Sequence, residues 1–384
     1  MRNCSAEMER IAELFAENFS ALGELGASVS IWRNGEEVVS LAAGWCDRQQ
    51  TRPWTKATLV LVWSATKGPA AACVLHAMEA RGLTLETRVA EVWPEFAQQR
   101  KDEVTMGQAI SHQAGVPVLD ISVNVFDHEA AVAAVAAQKP HWTPGTAHGY
   151  GPRVHGYLLD ELVRRMAGVP LGSYWRTHFA EPLGLEFWIG LPAELHERVA
   201  PVFPPKLMPP KEDRFYQAFA TPGSFSARAF ASPAGLHSVA SVNEAEARAA
   251  SFPGFGGIGT AHALGKFYAM LAMGGAMEGR TYFSPEALRW MTATLAQGDD
   301  RVLLMDTAFS AGFMRDPVDA SGKKTRAIFG SSPRAFGHPG AGGSHAFADP
   351  ERRLAFAYVM NQMEPGVLPG KKSLRLVEAL ESPE

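Results

Sequence analysis

Two strand pairs, one near each end of this 384-residue chain, restrict the fold more than any other feature. Near the N-terminus, residues 29–33 and 37–41 alternate in strand fashion around Asn34-Gly35, a dipeptide whose tolerance of positive φ suits a two-residue hairpin turn. Near the C-terminus, residues 344–348 and 354–360 flank Asp349-Pro350-Glu351-Arg352, with proline at a turn-forming position. Between the hairpins the spacing of apolar residues turns helical from Lys67 to about Met166, most clearly at 130–138 and 155–166, with a further helix expected over 236–250. A last helix, 373–380, closes the chain. Strands at both ends around a helical middle imply an α/β (α+β) protein: an antiparallel sheet flanked by helices, with an inserted, mainly helical domain. The expected division joins residues 1–66 and 255–384 in one α/β domain sharing a sheet, and leaves 67–254 as the helical domain. Within the latter, 192–230 carries Pro201, Pro204, Pro205, Pro209 and Pro210 among Phe203, Phe215, Tyr216, Phe219 and Phe225. Such a segment is expected to run as a long ordered loop that walls a pocket.

Where the apolar run 59–63 gives way to the alanine-rich stretch 70–78 stands Ser64-Ala65-Thr66-Lys67. A serine and a lysine three residues apart at a helix entry project to one side of its first turn, so the amine can take the hydroxyl proton. Pro69 fits the first turn, where its missing N–H breaks no internal bond. The plainer alternative is a serine N-cap beside a solvated lysine. A second copy of the pattern, Ser321-Gly322-Lys323-Lys324, lies in a polar stretch that reads as a surface loop.

A lysine base needs help, because a free amine is protonated at neutral pH. Tyr150, in a turn before the helix 155–166, could share the proton; packing at a helix entry is the alternative. The run Gly337-His338-Pro339-Gly340-Ala341-Gly342-Gly343-Ser344 would let a ligand approach backbone N–H groups, which is what an oxyanion site requires. It would equally serve as a flexible turn. Gly342-Gly343-Ser344-His345-Ala346 falls one glycine short of a G-x-S-x-G elbow and is followed by strand, not helix.

The charge of −4 is dispersed and forms no basic stripe for nucleic acid. No run of about 18 apolar residues exists for a membrane span. The first seventeen residues resemble an amphipathic helix, not a signal peptide. Three cysteines, Cys4, Cys46 and Cys73, at unrelated spacings fit neither a disulfide framework nor a zinc site. The expectation is a cytoplasmic protein acting on small molecules, with no metal and no cofactor.

Ser64-x-x-Lys67, Tyr150 and His338-Pro339-Gly340 occur in the order of the three motifs of serine β-lactamases and penicillin-binding proteins. With segments 168–175, 182–185, 256–260 and 338–344, nearly the whole chain resembles the family VIII carboxylesterases of that superfamily. The resemblance implies a β-lactamase-like fold, Ser64 as nucleophile, Lys67 and Tyr150 as the proton-transfer pair, and Tyr150 as activator of the hydrolytic water. It implies an oxyanion hole from the N–H groups of Ser64 and Ala341, and substrate binding at His338, Gly340 and Ala341. Two departures bear on the substrate. Pro152 replaces an asparagine that would bind an amide or steady the lysine, and His338-Pro339 replaces a lysine and a threonine. Both favour uncharged esters, with Arg153 as a cation only if it turns inward. The expected activity is hydrolysis of short-chain carboxylic esters through an acyl-enzyme. A β-lactamase or DD-peptidase-like amide hydrolase, an acyltransferase and a non-catalytic ligand-binding protein are the alternatives.

Overall fold

The structure, a computed structural model, describes residues 2–210 and 212–381. Eight antiparallel strands form the main sheet: Gly26–Arg33 (β1), Glu36–Gly44 (β2), Ala296–Asp299 (β3), Asp306–Phe309 (β4), Met314–Arg315 (β5), Phe336–Pro339 (β6), His345–Asp349 (β7) and Leu354–Met360 (β8). Their spatial order is β2-β1-β8-β7-β6-β5-β4-β3. The first and last strands are neighbours, with Ala27 opposite Met360 and Arg33 opposite Leu354. Both hairpins are present. Asn34 and Gly35 have φ of 51° and 83°, the two positive values of the turn that matches strand twist. In the second hairpin the Asp349 carboxylate accepts the N–H groups of Glu351 and Arg352.

Alternation along β8 decides what covers each face. Leu354, Phe356, Tyr358 and Met360 share a core with Ile11, Leu14 and Phe15 of the helix Arg2–Ala21 and with Leu376, Val377 and Leu380 of the helix Lys371–Glu381. Ala355, Ala357 and Val359 face the other way, against Leu264 and Phe267 of the helix Ala261–Ala272. The small residues let that helix come close: a Cβ on Gly265 would lie 2.8 Å from Ser30 Oγ. Each large apolar side chain buried in these layers contributes about 1.5–3 kcal/mol.

Helices run over Lys67–Ala80, His128–Ala137 and Val154–Ala167, within two residues of expectation. Residues 236–250 do not form the single helix expected. Leu236 sits at φ 52° and Glu244 is extended, so the segment breaks into a 3-10 turn, Ser241–Asn243, and a short helix, Ala245–Ala249. The proline-rich segment is not loop throughout either. Its prolines concentrate at 201–210, and helices Arg214–Phe219 and Phe225–Ala231 start beyond them, capped by the side chains of Asp213 and Ser224. A small second sheet, in the order Phe187–Ile189, Gly257–Gly259, Leu59–Leu61, Val199–Ala200, delivers the chain into the Ser64 turn. Among the described residues no helix is long and apolar enough to cross a membrane. Cys46 and Cys73 are buried free thiols, and the Cys4 side chain lies outside the described residues.

Candidate active site

Ser64 occupies a 3-10 turn, Trp63–Thr66, that leads into the helix beginning at Lys67. Two bonds tie this turn to the small sheet: Val62 N–H donates to Gly257 O at 2.9 Å, and Gly257 N–H donates to Thr66 Oγ1 at 2.8 Å. Trp63 is held at φ 51°, a conformation costing a non-glycine residue about 1–3 kcal/mol and retained where surrounding structure demands it. The caps of the 3-10 turn and of the helix are Val62 and Thr66, not Ser64, and Lys67 is fully buried, which rules out the capped serine with a solvated lysine. The second Ser-x-x-Lys copy lies on the surface, where Ser321 binds Asp319.

Lys67 Nζ lies 3.4 Å from Ser64 Oγ, 3.0 Å from Pro152 O and 2.6 Å from Gly254 O. Burial pushes its pKa well below the usual lysine range. Pro152 therefore does steady the lysine, contrary to expectation: its side chain cannot, but its backbone carbonyl does. The amine also sits 4.6 Å from the Tyr150 ring centroid, and the Tyr150 phenol is in hydrogen-bond contact with Ser64. Burial raises the phenol's pKa, the Ser64 bond opposes this, and the Asp300 charge adds to it. The serine oxygen, the amine and the phenol thus meet at one place.

His338 is buried behind Tyr150, with ring centroids 5.9 Å apart, and does not line the cleft. Burial and nearby Lys67 push its pKa down to about 3, so the imidazole is neutral. Gly340 approaches the Val62 carbonyl so closely that a Cβ would clash; the missing side chain admits protein backbone here rather than ligand. Its N–H donates to Ser344 O, while those of Gly342 and Gly343 go to Gly366 O and Gly340 O. Ala341 N–H has no acceptor among the described residues, and Ala341 lines the cleft with Ser64. Ser344 itself is fully buried, which removes the near-miss elbow.

The cleft above Ser64 measures about 440 Å³. Trp63, Phe219, Phe230, Val239, Val242 and Phe255 are among the apolar residues of its wall, so the proline-rich segment contributes through its two short helices. Arg153 also lines it, but its guanidinium donates to the carbonyls of Pro233, Gly235 and Leu236. No group of three or more metal-ligating side chains occurs among the described residues. Sequence reasoning did not find the Pro152 and Gly254 carbonyls, for which no side-chain signal exists. It also missed His148 in the Tyr150 loop itself, and His112, Asp300 and Thr307, which surround that loop from distant parts of the chain.

Residues 14–381 match the β-lactamase family model. The esterase/β-lactamase LipL of Mycobacterium tuberculosis is 30% identical over 365 residues, covering 92% of this chain and 81% of that protein. A penicillin-binding protein homologue from Caulobacter crescentus superposes with a TM-score of 0.86 at 38% identity, covering 97% of this chain and 96% of the other. The crystal structure of a family VIII carboxylesterase gives a TM-score of 0.86 at 34% identity with the same coverage. With a mixed sheet-and-helix architecture of that type and a family match over nearly its whole length, the chain belongs to the β-lactamase family and is a serine hydrolase.

Proposed function

We propose that this hydrolase is a carboxylesterase of the family VIII type, cleaving uncharged short-chain esters through an acyl-enzyme on Ser64. The observation that carries the reading is the bonding of Lys67. Three oxygens surround Nζ, those of Pro152, Gly254 and Ser64; burial favours the neutral amine, whose two hydrogens go to the two carbonyls and whose lone pair then faces the Ser64 hydroxyl. As Ser64 Oγ bonds to the ester carbonyl carbon, its proton passes to Lys67. The tetrahedral oxyanion is met by the Ser64 and Ala341 N–H groups, each such donor supplying about 2.7–4 kcal/mol. The carbon–alkoxide bond then breaks, the alkoxide takes the Tyr150 proton, and Lys67 returns its own to the phenolate. In deacylation a water proton reaches Lys67 through Tyr150, hydroxide attacks, and Ser64 leaves with the proton from Lys67.

The substrate follows from the walls. A cleft of about 440 Å³ lined mostly by apolar groups has to hold both acyl and alcohol parts, which favours small ones. A neutral His338 and an Arg153 occupied by three carbonyls offer little to a substrate carboxylate, which supports esters over β-lactams and muropeptides. Two buried free thiols agree with a cytoplasmic setting.

The test is to expose the protein to a fluorophosphonate, weigh it intact and map the adduct. One adduct on Ser64 is expected, together with near-complete loss of p-nitrophenyl butyrate hydrolysis in Ser64→Ala at unchanged circular dichroism. An adduct elsewhere, or undiminished turnover, overturns the proposal.

A further inference from the structure

The loop that carries Tyr150 is held through its backbone from two sides. Gly149 N–H donates to His112 O at 3.2 Å, and Gly151 N–H donates to His112 Nδ1 at 3.2 Å. Opposite, Arg301 N–H donates to His148 O at 3.1 Å, and Tyr150 N–H donates to both carboxylate oxygens of Asp300 at 3.1 Å. Asp300 is fully buried in the connection between β3 and β4. Its Oδ1 also accepts Val302 N–H and Leu303 N–H at 2.8 Å each, and its Oδ2 accepts the Thr307 hydroxyl at 3.1 Å. His148 Nε2 lies 2.8 Å from Thr307 Oγ1, so a chain of donors runs from His148 through Thr307 to the carboxylate. Burial raises the pKa of Asp300, and the N–H groups of Leu303, Tyr150 and Val302 with nearby His148 oppose that rise; a carboxyl met by donors on both oxygens is an acceptor at every position, the arrangement of the ionised form.

We propose that Asp300 is a positioning residue for the reaction: an ionised carboxylate that fixes the Tyr150 loop and keeps the phenol protonated until the leaving alkoxide takes its proton. The proposal rests on Tyr150 being the proton relay. It departs from a purely structural role because the carboxylate acts on the phenol through charge as well as position. The other titratable groups facing Tyr150 are Lys67 from the nucleophile helix, His112, His148 and His155 around its own loop, and His338 from β6. Burial holds all five towards their neutral forms. Asp300 is therefore the charge that raises the phenol's pKa, in addition to burial. Removing it makes the phenolate easier to form, so the donor is lost at a lower pH.

The experiment compares Asp300→Asn, Thr307→Val, Tyr150→Phe and the double variant Asp300→Asn/Tyr150→Phe, each checked for folding by circular dichroism, with p-nitrophenyl butyrate across pH. For Asp300→Asn we expect kcat to fall on the order of 10- to 100-fold with KM little changed, the scale of a displaced catalytic group. We also expect its alkaline limb to move to lower pH. The double variant should be no slower than Tyr150→Phe alone, because the aspartate acts through the tyrosine. Thr307→Val removes one donor and should give a smaller loss in the same direction; it decides the matter if Asp300→Asn does not fold. Wild-type kcat and pH profile in a folded variant, or losses that multiply in the double variant, overturn the proposal. An active Tyr150→Phe would instead refute the relay itself and is seen separately.

Discussion

An amine enclosed by two carbonyls and a hydroxyl has its protonation state decided by its surroundings, and at Lys67 those surroundings are uncharged. Protonation fills the lone pair that receives the Ser64 proton, so kcat/KM should fall as the pH drops through the lysine's pKa. Burial lowers that pKa, and the acid limb should lie well below the pH at which a free lysine titrates. An imidazole base would mimic this limb, and His338 is near enough to be suspected. Its pKa of about 3 leaves it uncharged over most of the measurable range. A pH profile of wild type and His338→Asn separates the two: the limb should keep its position in the variant, and a shift would identify the histidine as the titrating group. Lys67→Ala should lose kcat by about 10²–10⁴-fold, the usual worth of a placed base. At this scale Ser64 and Lys67 are legible because a helix fixes the relation of residues three apart. Asp300 is not, because its bond to Tyr150 spans 150 positions of sequence.

Among the elements, the hairpins could be read because their information is local: two positive-φ residues at 34 and 35 and an alternating pattern on either side. The cleft wall could not. Prolines at 201–210 obscured the capped helices that follow, and apolar residues at 236–250 resembled a helix whose start is broken by the left-handed Leu236. Arg153, at the start of the helix Val154–Ala167, helps hold that wall through its bonds to the carbonyls of Pro233, Gly235 and Leu236, beside the backbone bonds of Ala234 to Val123 and Val125. Hydrogen bonds to a charged group contribute about 1.5–3 kcal/mol each, though not additively. Arg153→Met keeps the apolar stem and removes every donor. The wall should loosen, raising KM for p-nitrophenyl butyrate several-fold with a smaller change in kcat, and lowering the thermal midpoint. An unchanged KM and midpoint would mean that the carbonyls are held by something other than the guanidinium.

For the molecule as a whole, the sheet joins the two ends of the chain, and the candidate oxyanion donors come one from each side of the helical middle, Ser64 and Ala341. Their alignment depends on how firmly the ends are clasped. Part of that clasp is a buried polar cluster. Lys372 Nζ, on the C-terminal helix, lies 3.2 Å from Glu24 Oε2 just before β1, and donates to Gln362 O at 3.1 Å. The Tyr358 hydroxyl of β8 donates to the same Glu24 oxygen at 2.6 Å, and Asn18 Nδ2 donates to Lys372 O at 3.0 Å. Burial raises the pKa of both Glu24 and Glu364, and Lys372 is the cation that opposes it at each. Lys372→Met therefore leaves two carboxyl groups without their cation, Glu24 buried and Glu364 half-buried. The cost should be about 3–5 kcal/mol, as for other buried pairs cut on one side. Pairing it with Glu24→Gln removes one of the two orphaned carboxylates and should recover part of the loss. Guanidinium unfolding of the wild type, Lys372→Met and the double variant measures both effects. A Lys372→Met protein as stable as the wild type, or a double variant no better than the single, would show that the ends are held by the apolar layers alone.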